Sequence, residues 1–528
     1  MATAAALSRN GGTPRPAAAG RDSNVVEYGW RRSLVTVAIV TATLLEIVDV
    51  TIVNVALPNI EGNFGASVDQ AAWIGTGYII ANVIVIPLTP WLQRRFGRKQ
   101  YYAASIALFT AASVMCGLSG SLEQLVFWRI VQGLGGGGLL STSQAILRET
   151  YPAKEQGKAA GIFSMGVIVG PTVGPTLGGF ITDQLSWRWA FFVNLPTGLL
   201  ALGLVIWLLR NPEAPRKLEL DWRGLAFLAT GIGSLQYVLD MGQRKDWFDD
   251  GSIVTCSCLA VAGISAFVFS ELRRDKPIVD LHVLRYRSVA AGSILGMVLG
   301  ISLYGSVLIL PQYVQGSLGF TATLSGELLV FRACAVMLVT PLVASLATKG
   351  KVDARLFVLC GFVLLGLSNW MLANVTTTQS DFWTFFWPLF VSGLGLAQIF
   401  VPLTISVLAS VDQRDIPAAA AFFNLARQIG GSIAIAVLVT ILARSNAIHH
   451  TELGSRIALS VPPVADYLRA NGGAGSAQAA AALDRLVSQQ SAVIAYADTA
   501  RAVAVISFLL SPLAFILRRP RPLALPAK

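Results

Sequence analysis

Long apolar stretches are the feature of this sequence that most restricts its fold. Runs of roughly 18 to 25 mainly apolar residues recur along nearly the whole chain, and each could cross a hydrocarbon core about 30 Å thick as an α-helix. The composition agrees, since 54% of the residues are hydrophobic and only 13% are charged, which is unlike a soluble protein. We therefore predict an all-α polytopic membrane protein.

Fourteen segments fit transmembrane helices and divide the chain into two halves. They are approximately residues 34–56, 71–92, 101–119, 123–146, 159–182, 190–209, 224–241, 252–271, 289–311, 324–346, 356–375, 383–408, 417–443 and 499–518. A polar stretch after Arg210 follows the sixth span, so the simplest arrangement is six, two and six helices. The predicted units are a disordered cytoplasmic tail (1–33), a six-helix bundle (34–209), a linker with two extra helices (210–288), a second bundle (289–518) with an external loop (444–498), and a cytoplasmic tail (519–528).

The net charge of +11 raises the question of nucleic-acid binding. When the N-terminus is placed in the cytoplasm, most of the 40 Lys and Arg residues fall in cytoplasmic segments, for example Arg94, Arg95, Arg98 and Lys99. The positive-inside rule explains this distribution. We therefore predict no nucleic-acid partner, a multi-pass protein of the cytoplasmic membrane, and both termini in the cytoplasm.

Metal and cofactor sites are not indicated. The five cysteines lie in or beside apolar spans, where small buried hydrophobes are the expected role. His449 and His450 adjoin no cysteine or carboxylate cluster beyond Glu452, so solvated histidines are favoured over metal ligands. We predict no metal and no cofactor.

Two carboxylates, Glu46 and Asp49, lie inside the first apolar span, where a charge is expensive and therefore indicates function. Their spacing of three places them on one helical face. Asp49 lies about 10 Å from the external end at 1.5 Å per residue, and Arg129 lies at nearly the same depth in span four. An ion pair or a shared proton site between Asp49 and Arg129 is thus possible, with a static buried salt bridge as the alternative.

A buried carboxylate can couple proton flow to transport. Desolvation and a neighbouring arginine act on its proton affinity in opposite directions, so a conformational change that alters either one loads or releases a proton. Glu327, Arg332 and Arg427 are the candidates in the second half, and with Glu46 we assign them to the substrate cavity. Glu327 lies near the external end of its span, where simple solvation is an equal alternative.

Span five, "GVIVGPTVGPTLGG", combines glycine and proline at regular spacing. The spacing of four keeps small residues on one stripe, where helices can approach closely, and proline bends a helix. The residues are Gly170, Pro171, Gly174, Pro175, Gly178 and Gly179. The run "GLGGGGLL" in span four is not a phosphate-binding loop, because it lacks the Lys-Ser/Thr ending and follows no strand.

These stretches together resemble the major facilitator superfamily. The resemblance is carried by "DVTIVNVALP", "RRFGRK", Arg129 with "VQGLGG", "GPTVGPTLGG" and "WRWAFFVNLP". The two extra central helices resemble its 14-helix drug:proton antiporter branch. Further stretches, "GSLQYVLDMGQRKDWF", "LPQYVQGSLGFTATLSG" and "ARQIGGSIAIA", are similar to the EmrB-type multidrug exporters.

The resemblance implies roles for the matching residues. Asp49 matches the first-helix acid that carries the proton, and Arg129 matches the arginine associated with proton coupling. The glycines and prolines of span five match the antiporter motif, while Gly97, Arg98 and Lys99 match the cytoplasmic gating loop. It also implies a periplasmic adaptor of the EmrA type and an outer-membrane channel, with adaptor contact at loop 444–498.

The sequence departs from the family pattern at several positions. Pro90 and Arg94 occupy gating-loop positions that usually hold Gly and often Asp, which argues against a charge relay there. Glu46 and Glu327 are not part of the pattern, and we expect them to adapt the cavity to cationic substrates.

The predicted function is a proton-coupled antiporter, not an enzyme, that exports amphipathic toxic compounds by rocker-switch alternating access. A dedicated exporter of one metabolite, siderophore or antibiotic, or an uptake symporter, is the alternative transporter. A lipid-modifying membrane enzyme would need paired interfacial carboxylate or histidine clusters, and a transporter-like sensor would need a signalling domain; the sequence shows neither.

Overall fold

Helices account for the regular structure of this chain. A computed structural model describes residues 29–152, 155–210, 215, 221–274, 277, 279–348, 352–409, 411–412, 415–457, 462–470 and 476–517. Among these residues, ten helices are long and apolar enough to cross a membrane. Residues 1–28 of the predicted N-terminal tail (1–33) and the whole predicted C-terminal tail (519–528) lie outside the described residues. The first helix begins at Trp30, so residues 30–33 are helical and do not belong to a disordered tail.

Each predicted span coincides with a helix or with two consecutive helical segments. The helices are α1 (Trp30–Phe64), α2 (Val68–Phe96), α3 (Arg98–Gly117), α4 (Leu122–Gly136), α5 (Leu139–Thr150), α6 (Gln156–Gln184), α7 (Trp189–Phe192), α8 (Asn194–Leu208), α9 (Trp222–Met241), α10 (Gly251–Leu272), α11 (Arg287–Gly316), α12 (Ala322–Thr348), α13 (Ala354–Val375), α14 (Phe386–Ala409), α15 (Ile416–Ser455), α16 (Pro462–Ala470) and α17 (Ala477–Leu510). Four predicted spans correspond to helices outside this group of ten. Span three corresponds to α3, span four to α4 with α5, span seven to α9 and span nine to α11.

Polar side chains and glycine set the ends of several helices. Ser67 and Gln70 form a capping box at the start of α2, in which each side chain bonds the other residue's backbone N–H. Gly97 alone separates α2 from α3, and its φ of 89° is a conformation that L side chains rarely adopt. The junction between α2 and α3 is therefore a sharp corner.

Two segments differ from their sequence predictions. Span four is divided into α4 and α5 at Gly137 and Gly138, where consecutive glycines weaken the helix. The segment predicted as a long external loop, 444–498, is largely helical, because α15 continues to Ser455 and α17 begins at Ala477. Hydropathy marks only the apolar part of a helix, whereas alanine-rich polar sequence can extend it.

The helices pack as two bundles that contact each other along several helices. In the first bundle α1 packs against α6 and α8, and in the second α11 packs against α15 and α12 against α14. The bundles meet where α6 packs on α12 and α14, and where α2 and α5 pack on α15. One face of the first bundle holds the ends of α2 and α5 and the starts of α1, α3 and α6. Two ion pairs lie on this face, Arg32 with Glu155 and Arg98 with Glu149. We call this the basic face.

The extra helix pair contacts both bundles. Helix α9 packs on α10, α2 and α15. Thr76 of α2 donates a hydrogen bond to Asp240 of α9. Just after α9, Trp247 Nε1 donates to Thr440 Oγ1 of α15 at 3.2 Å. The pair thus lies alongside the bundle interface.

Candidate functional site

Asp49 and Arg129 form a buried ion pair. Arg129 Nη1 lies 2.6 Å from Asp49 Oδ2, and the two side chains are 2% and 0% exposed, respectively. The depth estimate from sequence therefore placed these two residues correctly relative to each other. Because both charges are withdrawn from water, each depends on the other for compensation.

Two amides complete the hydrogen bonding of the carboxylate. Asp49 Oδ1 accepts from Gln132 Nε2 at 2.8 Å and from Asn194 Nδ2 at 2.7 Å. Arg129 also donates to Gln132 Oε1 at 2.8 Å and to the carbonyl of Ile74 at 3.2 Å. We call Asp49, Arg129, Gln132 and Asn194 the buried polar network. It joins α1, α2, α4 and α8.

Sequence reasoning missed Gln132 and Asn194. The available signals were weak: Gln132 lies one helical turn after Arg129, and Asn194 is a polar residue at the start of an apolar helix. Neutral amides are tolerated in membranes far more readily than charges, so they attract less notice than Asp49.

Aromatic and apolar groups surround the network. The guanidinium carbon of Arg129 lies 4.2 Å from the ring centroid of Tyr78, a cation–π contact. Ile52, Val53 and Leu125, from α1 and α4, belong to a neighbouring buried apolar cluster. Such surroundings exclude water and strengthen the electrostatic interactions inside them.

Glu46 lies in a different environment, although it shares a helical face with Asp49. Its side chain is buried, and Oε1 accepts one hydrogen bond, from Asn82 Nδ2 at 3.2 Å. Oε2 has no hydrogen-bond partner in the described part of the chain. Glu46 is therefore much less well compensated than Asp49.

The second-bundle candidates are not brought into the buried polar network. Arg332 on α12 and Arg427 on α15 are both buried. Glu327 is exposed in the early part of α12, and no described basic residue lies within ion-pair distance of it. Arg427 lies on α15, which packs on α2 and α5 of the first bundle.

The glycine stripe of α6 packs directly on α1. A Cβ atom added to Gly170 would lie 2.7 Å from Ile47 Cγ2, and one added to Gly174 would lie 1.8 Å from Thr51 Oγ1. Gly178 continues this contact, and Pro171, Pro175 and Gly179 lie on the same helix. Only glycine permits this separation between the two helices.

The gating-loop residues tie α2 and α3 to α5. Arg98 forms an ion pair with Glu149 of α5, and its Nε donates to Gln93 Oε1 at 3.1 Å. Gln93 Nε2 in turn donates to Thr142 Oγ1 at 2.9 Å. Gly97 forms the corner, and Lys99 is the second residue of α3. The corner is thereby fixed to the basic face of the first bundle.

The described residues contain no group of three or more His, Cys, Asp and Glu side chains that could hold a metal ion. His449 instead contacts Asp498 of α17 through Nε2 at 2.8 Å.

Comparison with known proteins identifies the family. A model of the Major Facilitator Superfamily matches residues 39–435. The chain is 35% identical to the multidrug export protein EmrB of Escherichia coli K12 over 80% of this chain and 83% of that protein. It is 32% identical to the fatty acid resistance protein FarB of Neisseria gonorrhoeae over 92% of this chain and 96% of that protein.

Solved structures share the fold at low sequence identity. The human organic anion transporter MFSD10 aligns with a TM-score of 0.58 and 13% identity, over 92% of this chain and all of that one. A bacterial homologue of the lysosomal transporter Spinster, in an inward-facing conformation, aligns with a TM-score of 0.54 and 16% identity, over 94% of this chain and all of that one. The chain therefore belongs to the major facilitator superfamily, in its EmrB-type group, and is a multi-pass membrane transporter and not an enzyme.

Proposed function

We propose that this transporter is a proton-coupled antiporter that exports amphipathic compounds across the cytoplasmic membrane. The buried polar network carries the proposal. A carboxylate fully withdrawn from water, held by one arginine and two amides, stabilises little that apolar packing could not. A role in proton transfer would account for the presence of this buried carboxylate.

Proton coupling would use the contact between Asp49 and Arg129. With Arg129 at 2.6 Å, the ionised carboxylate is compensated. If alternating access moves α1 relative to α4, the carboxylate loses that compensation and takes up a proton instead. Return of Arg129 then releases the proton. The proton gradient thereby shifts the equilibrium between the two conformations.

Alternating access would proceed as a rocker-switch motion of the two bundles. The close contact of α6 with α1 makes that part of the first bundle stiff, because packed interiors resist deformation. Between the bundles, α6 packs on α12 and α14, and α2 and α5 pack on α15. Asn424 Nδ2 also donates a hydrogen bond across this interface to Gln144 Oε1 at 3.0 Å. The main motion is expected at this interface, with a smaller shift of α4 relative to α1 inside the first bundle.

The substrates proposed are amphipathic, in keeping with the relatives named for multidrug export and for fatty acid resistance. Glu46 supplies a buried carboxyl group, and Arg427 and Arg332 supply buried guanidinium groups. A dedicated exporter of one metabolite, siderophore or antibiotic is the outcome if a substrate panel yields a single compound.

The proposed partners contact the helical extension formed by α15 and α17. Ser491 Oγ donates to Asn446 Oδ1 at 2.9 Å, and Ser445 Oγ donates to Asp498 Oδ2 at 2.8 Å, so these two helices pair beyond the apolar segments. With both termini in the cytoplasm, the pair would project outward. We propose it as the contact for a periplasmic adaptor that leads to an outer-membrane channel.

Transport by protein reconstituted in liposomes tests the proposal. An imposed pH gradient should drive uphill substrate movement by the parent protein, and Asp49→Asn should abolish it while retaining substrate exchange at equal pH. Full gradient-driven transport by Asp49→Asn contradicts the proton role, and loss of exchange as well indicates a general defect.

A further inference from the structure

The two extra helices, α9 and α10, lie antiparallel and cross each other closely. A Cβ atom added to Gly263 of α10 would lie 2.7 Å from Gly231 Cα of α9. Leu225, near the start of α9, and Phe267, near the end of α10, pack in one apolar cluster with Leu92 at the end of α2. The start of α9 and the end of α10 therefore lie on the side of the molecule that carries the basic face.

Two exposed arginines lie at this end of the helix pair. Arg223 is the second residue of α9, and Arg273 directly follows the last residue of α10. Measured from the helix crossing at 1.5 Å per residue, they lie about 12 and 15 Å along their helices, so their depths differ by less than one turn. No described carboxylate forms an ion pair with either arginine, and Asp221 is paired instead with Arg274 at 2.5 Å.

Aromatic and apolar side chains adjoin these arginines on the outer side of the pair. Trp222, Phe269 and Leu272 are 73%, 57% and 60% exposed. The guanidinium carbon of Arg273 lies 3.9 Å from the ring centroid of Phe269, a cation–π contact. Tryptophan is common at the boundary between membrane and water. We call Trp222, Arg223, Phe269, Leu272 and Arg273 the α9–α10 surface, which combines two positive charges with apolar contact area.

The positive-inside rule accounts for arginines at cytoplasmic helix ends without any bound ligand. Arg32, on the same side of the molecule, is engaged by a carboxylate. The two arginines of the α9–α10 surface differ, because the acids at this end of the pair, Asp221 and Glu271, are buried where the helices meet. A phospholipid with a negative headgroup supplies both an anion and a hydrocarbon chain, whereas a soluble phosphate supplies only the anion.

We propose that the α9–α10 surface binds an anionic phospholipid of the cytoplasmic leaflet, with Arg223 and Arg273 contacting its phosphate and Phe269 and Leu272 contacting an acyl chain. Each arginine near an anionic membrane surface contributes about fivefold to binding. Helix α9 also packs on α2 and α15, so the lipid binds a helix pair that contacts both bundles. The site depends neither on proton coupling nor on the exported compound.

Quenching of Trp222 by brominated lipids tests the proposal, because bromine on an acyl chain quenches tryptophan fluorescence only at short range. The full chain is placed in phosphatidylcholine nanodiscs with increasing fractions of brominated phosphatidylglycerol or brominated phosphatidylcholine. The signal of Trp222 is the difference between each protein and its own Trp222→Phe derivative, which lacks one of the 12 tryptophans. Phosphatidylglycerol should bind at least about tenfold more tightly than phosphatidylcholine.

Arg223→Gln combined with Arg273→Gln should reduce this preference to about twofold or less, since both attractive charges are lost. Replacement of both arginines by lysine should retain most of the preference, because an anionic lipid attracts either side chain. Lys158→Gln combined with Arg210→Gln is the matched control. It removes two exposed charges from the same side of the molecule and should leave the preference unchanged.

Equal affinity of the parent protein for the two lipids is the behaviour of ordinary annular lipid and overturns the proposal. An unchanged preference in the double glutamine variant, or an equal loss in the control, also overturns it. Inorganic phosphate should not displace brominated phosphatidylglycerol; displacement would assign the arginines to a soluble anion and contradict the lipid site. The preference of the parent needs no variant, so a folding defect in a variant leaves the test decisive. The assay uses no substrate and no gradient, so its failure is distinct from failure of the proposed antiport.

Discussion

Removing one member of the Asp49–Arg129 pair should damage the protein more than removing both. Arg129→Met leaves the buried Asp49 charge with only two neutral amide donors, at 2.8 and 2.7 Å. Asp49→Asn leaves the guanidinium with the oxygens of Gln132 and Ile74. Breaking a buried pair in this way destabilises by about 3–5 kcal/mol. The double variant leaves no unpaired charge, so we expect it to be no less stable than either single variant.

Unfolding in mixed micelles with increasing SDS fraction, followed by tryptophan fluorescence, measures this double-mutant cycle. The expected coupling free energy between the two sites is about 3 kcal/mol, at the upper end of measured couplings. Arg94→Met, at an exposed position, should stay within about 0.5 kcal/mol of the parent. If the double variant loses the sum of the two single losses, the charges are not mutually compensating and the reasoning is wrong.

Two further predictions concern helix packing and cavity charge. Gly174→Ala should reduce transport and lower the free energy of unfolding by about 1–3 kcal/mol, because the new Cβ would lie 1.8 Å from Thr51 Oγ1. Gly166→Ala should be tolerated, because the nearest neighbour of its Cβ would lie at 3.7 Å. Equal effects of the two variants on thermal unfolding would contradict the close packing of α6 on α1. Glu46→Gln should reduce efflux of cationic dyes relative to neutral and acidic compounds. Glu327→Gln should have a smaller effect, because the Glu327 carboxylate is exposed. Unchanged dye efflux in both variants would refute a role of these carboxylates in selecting cationic substrates.

The sequence was informative where a physical rule applies to single residues. A span must be apolar over a fixed length, so hydropathy located helices at the predicted segments. Among the described residues, ten of these helices are long and apolar enough to cross a membrane. A charge in such a span must have a partner at its own depth, which was enough to relate Asp49 to Arg129. The glycine spacing of α6 likewise indicated a close helix contact before the contacting residue, Thr51, was known.

Other features depend on which helices become neighbours. Asn194 joins Asp49 from 145 residues away, and no local pattern specifies that pairing. The surface with Arg223 and Arg273 forms only where α9 packs on α10, so these two arginines could not be grouped from the sequence. The continuation of α15 to Ser455 was not predicted, because hydropathy marks only the apolar part of a helix.

Proton release on substrate binding tests the central claim most directly. The purified protein is placed in weak buffer with a pH-indicator dye, and a substrate found in the efflux panel is added. An antiporter that exchanges substrate for a proton at Asp49 should release protons, and Asp49→Asn should bind the same substrate without that release. Equal proton release from Asp49→Asn would contradict the account.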